Sequence, residues 1–294
     1  MAHIFKKLSS LNIDRARCAA PHKPLLLLCL LEIAEQVGLT DILLPVTGEL
    51  TFRFASYWSV VAHRRPQRPD IKLPLYHMKS DGLWEPLDDQ LSPLKHREMP
   101  AYIRFTDDFL AMANDPSLCN QARALLIRTY FEPAEQVALC ALTGQDVAVL
   151  EQELPALTDA AGEAERGREG RFRIDVVTAY DYTCALTGYR LITLNSGTIV
   201  DACHIHQFAR SRNNNPTNGI ALSKNAHWLF DNGLWSICDD YTVLTADRHF
   251  SEAGDAALLL ARMKNRKITL PANPCLWPAQ KHLEWHRNHK FLGN

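Results

Sequence analysis

No two cysteines in this chain are spaced Cys-x-x-Cys. The thiols stand at positions 18, 29, 119, 140, 184, 203, 238 and 275, so paired knuckle ligands cannot be drawn and no structural zinc is expected. Long apolar runs are missing too: the greasiest stretch, Leu25 to Leu31, is far too short to cross a bilayer. Met1-Ala-His-Ile-Phe5 lacks the basic and apolar blocks of a signal peptide, which points to a cytoplasmic protein with reduced thiols and no membrane partner. Nor is one sign of charge in excess. The formal net charge is -1, which excludes a global basic field. Basic residues are local instead, in His63-Arg64-Arg65-Pro-Gln-Arg68, in Arg166 to Arg173, and in Arg210 with Arg212.

At 294 residues the chain is long enough for two cores. Residues 158 to 170, Thr-Asp-Ala-Ala-Gly-Glu-Ala-Glu-Arg-Gly-Arg-Glu-Gly, are small and charged with little to bury, and read as a linker or a loosely packed helix. This divides the chain into residues 1–157 and 171–294. Helical and strand patterns mix in both parts, so the expected class is α+β with two domains. In the second part Phe172 to Tyr182 reads as a helix, Tyr241 to Leu244 as a strand, and Ala256 to Met263 and Gln280 to Phe291 as helices.

The densest chemistry lies between Val200 and Ile237. Thr198 to Ile205 is β-branched enough for a strand, which carries His204 to a rim, with Asp201 and Cys203 sharing one face. Gln207 to Asn218 is loop chemistry, and Ile220-Ala-Leu222 is a second short strand. Ser223 suits an N-cap, Lys224 to Asp231 a short helix, and Asn232-Gly233 its stop. Strand, loop, strand and helix let His204, Asn218 and His227 converge. Hydrolysis of a phosphodiester needs a base for the attacking water, a cation at the phosphate and a group that aims the base; this segment has residues for all three. Alone, each histidine would more often be a satisfied surface or core residue, and Asn218-Gly219 a turn.

Cys184-Ala-Leu-Thr-Gly188, Asp201-Ala-Cys-His-Ile205, Asn218-Gly-Ile-Ala-Leu222 and His227-Trp-Leu-Phe-Asp-Asn-Gly-Leu-Trp235 resemble the HNH endonucleases, whose fold is ββα-metal. The resemblance implies His204 as general base, Asn218 as the residue that orients it and His227 as a ligand of a divalent ion, Mg²⁺ or Mn²⁺. Where many relatives have His or Asp before the base, this chain has Cys203. Asp201 is the preferred second ligand because a carboxylate suits a hard cation better than a thiol. Asp231, His206 and Cys203 are the reserves.

In the first part, Ala20-Pro-His22-Lys23-Pro24 precedes a leucine-rich helix that should stop at Gly38. His22 and Lys23 sit where a helix N-terminus offers N–H groups to a phosphate. Lys72 to Trp84 reads as an extended segment, a tight turn at Ser80-Asp-Gly82 and a return strand. Together the Pro-His-Lys-Pro-Leu-Leu-Leu-Leu string and the Pro74-x-x-x-Met-x-x-Asp-Gly-x-Trp84 segment resemble the DNA sulfur-binding domain. That resemblance implies a sulfur pocket around Pro74, flanked by Leu73 and His77, with His22, Lys23, Arg64, Arg65 and Arg68 on the DNA. The implied partner is double-stranded, phosphorothioate-modified DNA, and the implied role is restriction in defence. Two other readings stay open: recognition of another mark such as methylated cytosine, and an inactive DNA- or ligand-sensing regulator. One such site cuts one strand at a time, so a double-strand break would take a homodimer or two successive nicks.

Overall fold

A computed structural model describes residues 2–15, 19–63, 69–150, 159–254 and 260–293. Contacts divide the chain into two compact units, one of residues 1–171 with 193–197 and one of residues 172–192 with 198–294. Arg64, Arg65 and Arg68 lie outside the described residues. So does the first half of the helix expected at Ala256 to Met263, of which Leu260–Arg262 is a short 3-10 turn.

The first unit contains α1 (Ala2–Ser9), α2 (His22–Val37), β1 (Leu43–Pro45), α3 (Gly48–Trp58), α4 (Lys72–His77), β2 (Trp84–Leu87), β3 (Tyr102–Phe105), α5 (Asp107–Ala113), α6 (Pro116–Tyr130) and α7 (Pro133–Thr143). Leucines on every side of α2 are buried, which suits a helix surrounded by others. It stops at Gly38, whose positive φ of 73° lets its N–H turn back to the Ala34 carbonyl. The three strands form an antiparallel sheet in the order β1-β3-β2. Glu32 of α2 is buried with Arg53 and Arg171, each at 2.6 Å, and accepts from the Tyr57 hydroxyl at 2.7 Å. Burial works to raise its pKa, but Arg53 and Arg171 outweigh it and hold the carboxyl below the usual range.

Two expectations are corrected here. Lys72 to Trp84 is not an extended segment with a returning strand: Lys72–His77 is helical, Met78–Asp81 is a 3-10 turn, and β2 pairs with β3. The reason is spacing. Ile71, Leu75 and Met78 are all buried and lie three or four residues apart, a helical stripe, and Pro74 sits in the first turn, where its missing N–H costs nothing. The residues from Ala160 onward, read as a linker or a loosely packed helix, take the helical alternative: they are the first half of α8 (Ala160–Ala179), which continues across the division between Arg171 and Phe172. Small residues there serve close packing. A Cβ on Gly167 would stand 2.0 Å from the Ala138 carbonyl oxygen, and the charges pair along the helix as Glu163 with Arg166 and Glu165 with Arg168.

After α8, β4 (Ile192–Thr193) and β5 (Gly197–Thr198) make a short pair. The second unit then runs β6 (Val200–His204), α9 (Phe208–Ser211), β7 (Gly219–Ser223), α10 (Lys224–Asp231), β8 (Trp235–Ile237), β9 (Val243–Thr245) and α11 (Gln280–His289). The order strand, loop, strand, helix matches the expectation, and the class is α+β. No helix among the described residues is long and apolar enough to cross a membrane.

His286 of α11 is a core residue. Its ring stacks on Phe230 at 3.7 Å; Nε2 donates to the Phe230 carbonyl at 3.2 Å, so Nδ1 accepts from the Ser236 hydroxyl at 2.8 Å. Burial pushes its pKa from 6.5 down to about 4, and burial does the same to His282. The folded value lies below the unfolded one, so the unfolded chain takes up more protons between them. The stabilisation is therefore complete above 6.5 and lost as pH falls toward 4. Denaturant unfolding should lose roughly 3 kcal/mol over that window through His286, and His286→Gln should flatten the profile by that amount. Equal acid loss in both proteins would assign the titration elsewhere.

Candidate functional site

β6 and β7 pair antiparallel with His204 opposite Gly219 and Cys203 opposite Ile220. Alternation along β6 turns Cys203 inward, to full burial, and leaves His204 half-buried at the rim. Gly219 does not make a turn. It is an extended strand residue, and a Cβ there would fall 2.4 Å from Val176 and 2.8 Å from Phe172 of α8. The missing side chain lets Phe172 lie flat on the His204 ring, with centroids 3.9 Å apart and planes 7° from parallel, while Phe208 covers it at 5.4 Å. His204 Nε2 meets Asn214 Oδ1 at 2.9 Å. An amide oxygen only accepts, so the neutral imidazole carries its proton on Nε2 and its lone pair on Nδ1, the atom suited to take a proton.

Asn218 is wholly buried. Its Oδ1 accepts from the His206 N–H at 2.9 Å, and its Nδ2 donates to the carbonyls of His206 and Asn213, both at 3.0 Å. It thus braces the loop that carries Asn214, whose side chain meets the His204 ring. Asn214 is a site residue that sequence reading missed; it stands in the run Asn213-Asn-Asn215, where nothing marks one asparagine above its neighbours.

α10 follows β7 directly and brings His227 to the strand pair. His227 Nε2 is 3.3 Å from Asp231 Oδ2, one helical turn on, and Cys203 Sγ is 4.0 Å from Asp231 Oδ1. One donor atom from each of Cys203, His227 and Asp231 falls within 4.8 Å of the others. Asp201 is elsewhere. Its carboxylate is held by Arg173 at 2.7 Å and Lys224 at 2.9 Å. Burial tends to raise its pKa, but Arg173 first and then Lys224 hold it below the usual range. His206 is also outside the group, stacked on Trp285 at 4.0 Å.

A family model described as HNH endonuclease matches residues 184–238, the stretch that contains His204, Asn218 and His227. This segment is an HNH endonuclease domain. Such domains are metal-dependent nucleases, and the donor set of His227, Asp231 and Cys203 fits a divalent ion. Among solved structures, a chain described as a modification-dependent TagI restriction endonuclease is similar at TM-score 0.30 and 21% identity, over 40% of this chain and 36% of that one. The match thus spans little more than a third of that protein. No curated protein matches the chain.

Outside the HNH domain, the first unit has a recess of about 500 Å³ lined by His22, Lys23, Leu73, Pro74 and His77. All the described residues expected in the reading pocket meet there. Asn12, Ile13, Asp14, Ala20, Ser80 and the exposed Arg97 complete the wall; Arg97 stands in a polar loop without any sequence signature. Lys23 is not an open phosphate contact: it is buried, and its Nζ is bonded to Asp81 Oδ2 at 2.5 Å and to the Asn12 carbonyl at 2.8 Å. Burial first, then the charges of Arg97, Lys23 and Lys79, push the His77 pKa below 6.5.

The geometry separates the carboxylates by role. Asp231→Asn and His227→Ala should each weaken Mn²⁺ binding by at least about tenfold, measured by calorimetry on the full chain. Asp201→Asn should leave that affinity within about twofold and lower thermal stability, because it strands Arg173 and Lys224. A loss of metal affinity in Asp201→Asn comparable to that in Asp231→Asn would return Asp201 to the ligand set.

Proposed function

We propose that the protein is a metal-requiring DNA endonuclease that recognises phosphorothioate-modified duplex DNA through its first unit and hydrolyses nearby phosphodiesters through its HNH domain. The observation that carries this reading is the first-unit recess, where apolar walls and cationic groups from distant parts of the chain line one hollow. Sulfur in place of a non-bridging oxygen makes one corner of a phosphate larger, softer and less hydrated. Leu73, Pro74, Ile13 and Ala20 offer that corner a surface that costs it little hydration. In this reading Arg97 and His22, which also line the recess, contact the remaining phosphate oxygens. Lys23, bound to Asp81, acts as a strut that sets the floor.

In the HNH domain His204 Nδ1 takes a proton from water as the water oxygen attacks phosphorus, and the bond to the leaving oxygen breaks. Phe172 and Asn214 keep the ring from turning during that transfer. A divalent ion, when bound by His227 and Asp231, supplies positive charge at the phosphate and the leaving oxygen.

The direct test incubates matched plain, cytosine-methylated and phosphorothioate plasmids with the protein and Mg²⁺, Mn²⁺ or Co²⁺. Cleavage confined to the phosphorothioate plasmid is expected. Cutting of the methylated plasmid alone would reassign the mark, and binding without cutting under every ion would make the protein a regulator. His204→Ala should lose cleavage by at least about 100-fold and keep its affinity for modified duplex.

The recess has its own test. Pro74→Asp places a carboxylate beside an anionic thiophosphate, adding both desolvation and repulsion. Binding measured on matched duplexes should lose its preference for the modified one while plain-duplex affinity stays nearly unchanged. A preference that survives the change would move the sulfur contact away from Pro74.

A further inference from the structure

Within that nuclease reading, the geometry points to Cys203 as the third protein ligand of the metal, a thiolate beside His227 and Asp231, and so to an ion of the Mn²⁺ to Zn²⁺ series in preference to Mg²⁺.

Three observations carry this. Cys203 is fully buried on the β6 face that looks toward α10, and its sulfur approaches Asp231 Oδ1 at 4.0 Å. Its donor atom falls within the same 4.8 Å group as those of His227 and Asp231, close enough for one ion to lie between all three. The other carboxylate of the strand, Asp201, is already engaged by Arg173 and Lys224. The strand therefore offers the ion sulfur and not oxygen.

Ligand chemistry then sets the metal. Mg²⁺ asks for six hard oxygen donors in near-octahedral geometry and keeps several of its waters. Thiolate, imidazole and carboxylate together suit the borderline ions, and three protein ligands leave positions open for water and a phosphate oxygen. The balance is simple: the S–H bond of Cys203 breaks, a sulfur–metal bond forms, and the proton passes to solvent. Nothing is oxidised or reduced.

The test reads the sulfur–metal bond optically. Full-length protein is titrated with Co²⁺ in the absence of DNA, and the near-ultraviolet thiolate-to-cobalt charge-transfer band is followed. One band saturating at one equivalent is expected, bleached by Zn²⁺ at stoichiometric levels and by Mg²⁺ only in large excess. Cys203→Ser should abolish the band and weaken Co²⁺ binding by at least about tenfold, with an unchanged circular dichroism spectrum. Cobalt binding in wild type without the band, or a band that persists in folded Cys203→Ser, overturns the proposal. The wild-type spectrum decides even if the variant does not fold. Plasmid cleavage run beside it separates the two readings: cleavage without the band leaves the nuclease and removes the thiolate, while the band without cleavage leaves a metal site and removes the nuclease.

Discussion

The second unit depends on one register. With His204 opposite Gly219, the imidazole has no side chain across from it on the neighbouring strand, and Phe172 fills that space by stacking on the ring. A slip by one residue would place Ile220 there and turn His204 into the core. The same pairing ends at Ser223, from which α10 begins at once, and one helical turn then sets His227 and Asp231 on the side to which Cys203 points. Cys203 and His204 thus leave opposite faces of one short strand, and the helix that follows its partner strand brings His227 and Asp231 to the Cys203 side.

Much of this was legible because it is local. The strand and helix around His204 and His227 follow from alternation, an N-cap at Ser223 and a glycine stop, all within forty residues. Asn214 was not legible, since its partnership with His204 arises from how Asn218 folds the loop, and no spacing rule distinguishes it from Asn213 or Asn215. Asp201 was preferred as a ligand on chemical grounds; in the structure its carboxylate pairs with Arg173, twenty-eight residues earlier on α8, and with Lys224, contacts that no local spacing announces.

The first unit shows the same divide. The buried helix α2 is unmistakable from seven apolar residues in a row, and the meeting of His22 with Pro74 in one recess followed from resemblance. The secondary structure around Pro74 did not, because a proline between Leu73 and Leu75, ahead of a Ser80-Asp-Gly82 turn, looks like a strand edge until the buried stripe of Ile71, Leu75 and Met78 is recognised. Glycines misled in a similar way. In residues 158–170 they suggested slack, yet Gly167 is needed where a helix passes within contact distance of the Ala138 carbonyl. Glycine in a helix costs about 1 kcal/mol relative to alanine, and here it is offset by an approach that no larger residue permits.

Asn218 has a consequence for how the protein ages. An asparagine followed by glycine is the pair most prone to deamidation, because the glycine nitrogen readily attacks the side-chain carbonyl to close a succinimide. In this chain the Asn218 amide is buried and spends its oxygen and both N–H groups on loop backbone, and Gly219 is held in a strand. Ring closure has to wait for the loop to open. The folded state therefore protects the residue against a reaction whose product, a carboxylate facing two carbonyl oxygens, would unseat the loop that carries Asn214, and the chemical lifetime of the loop becomes a measure of how seldom it unfolds.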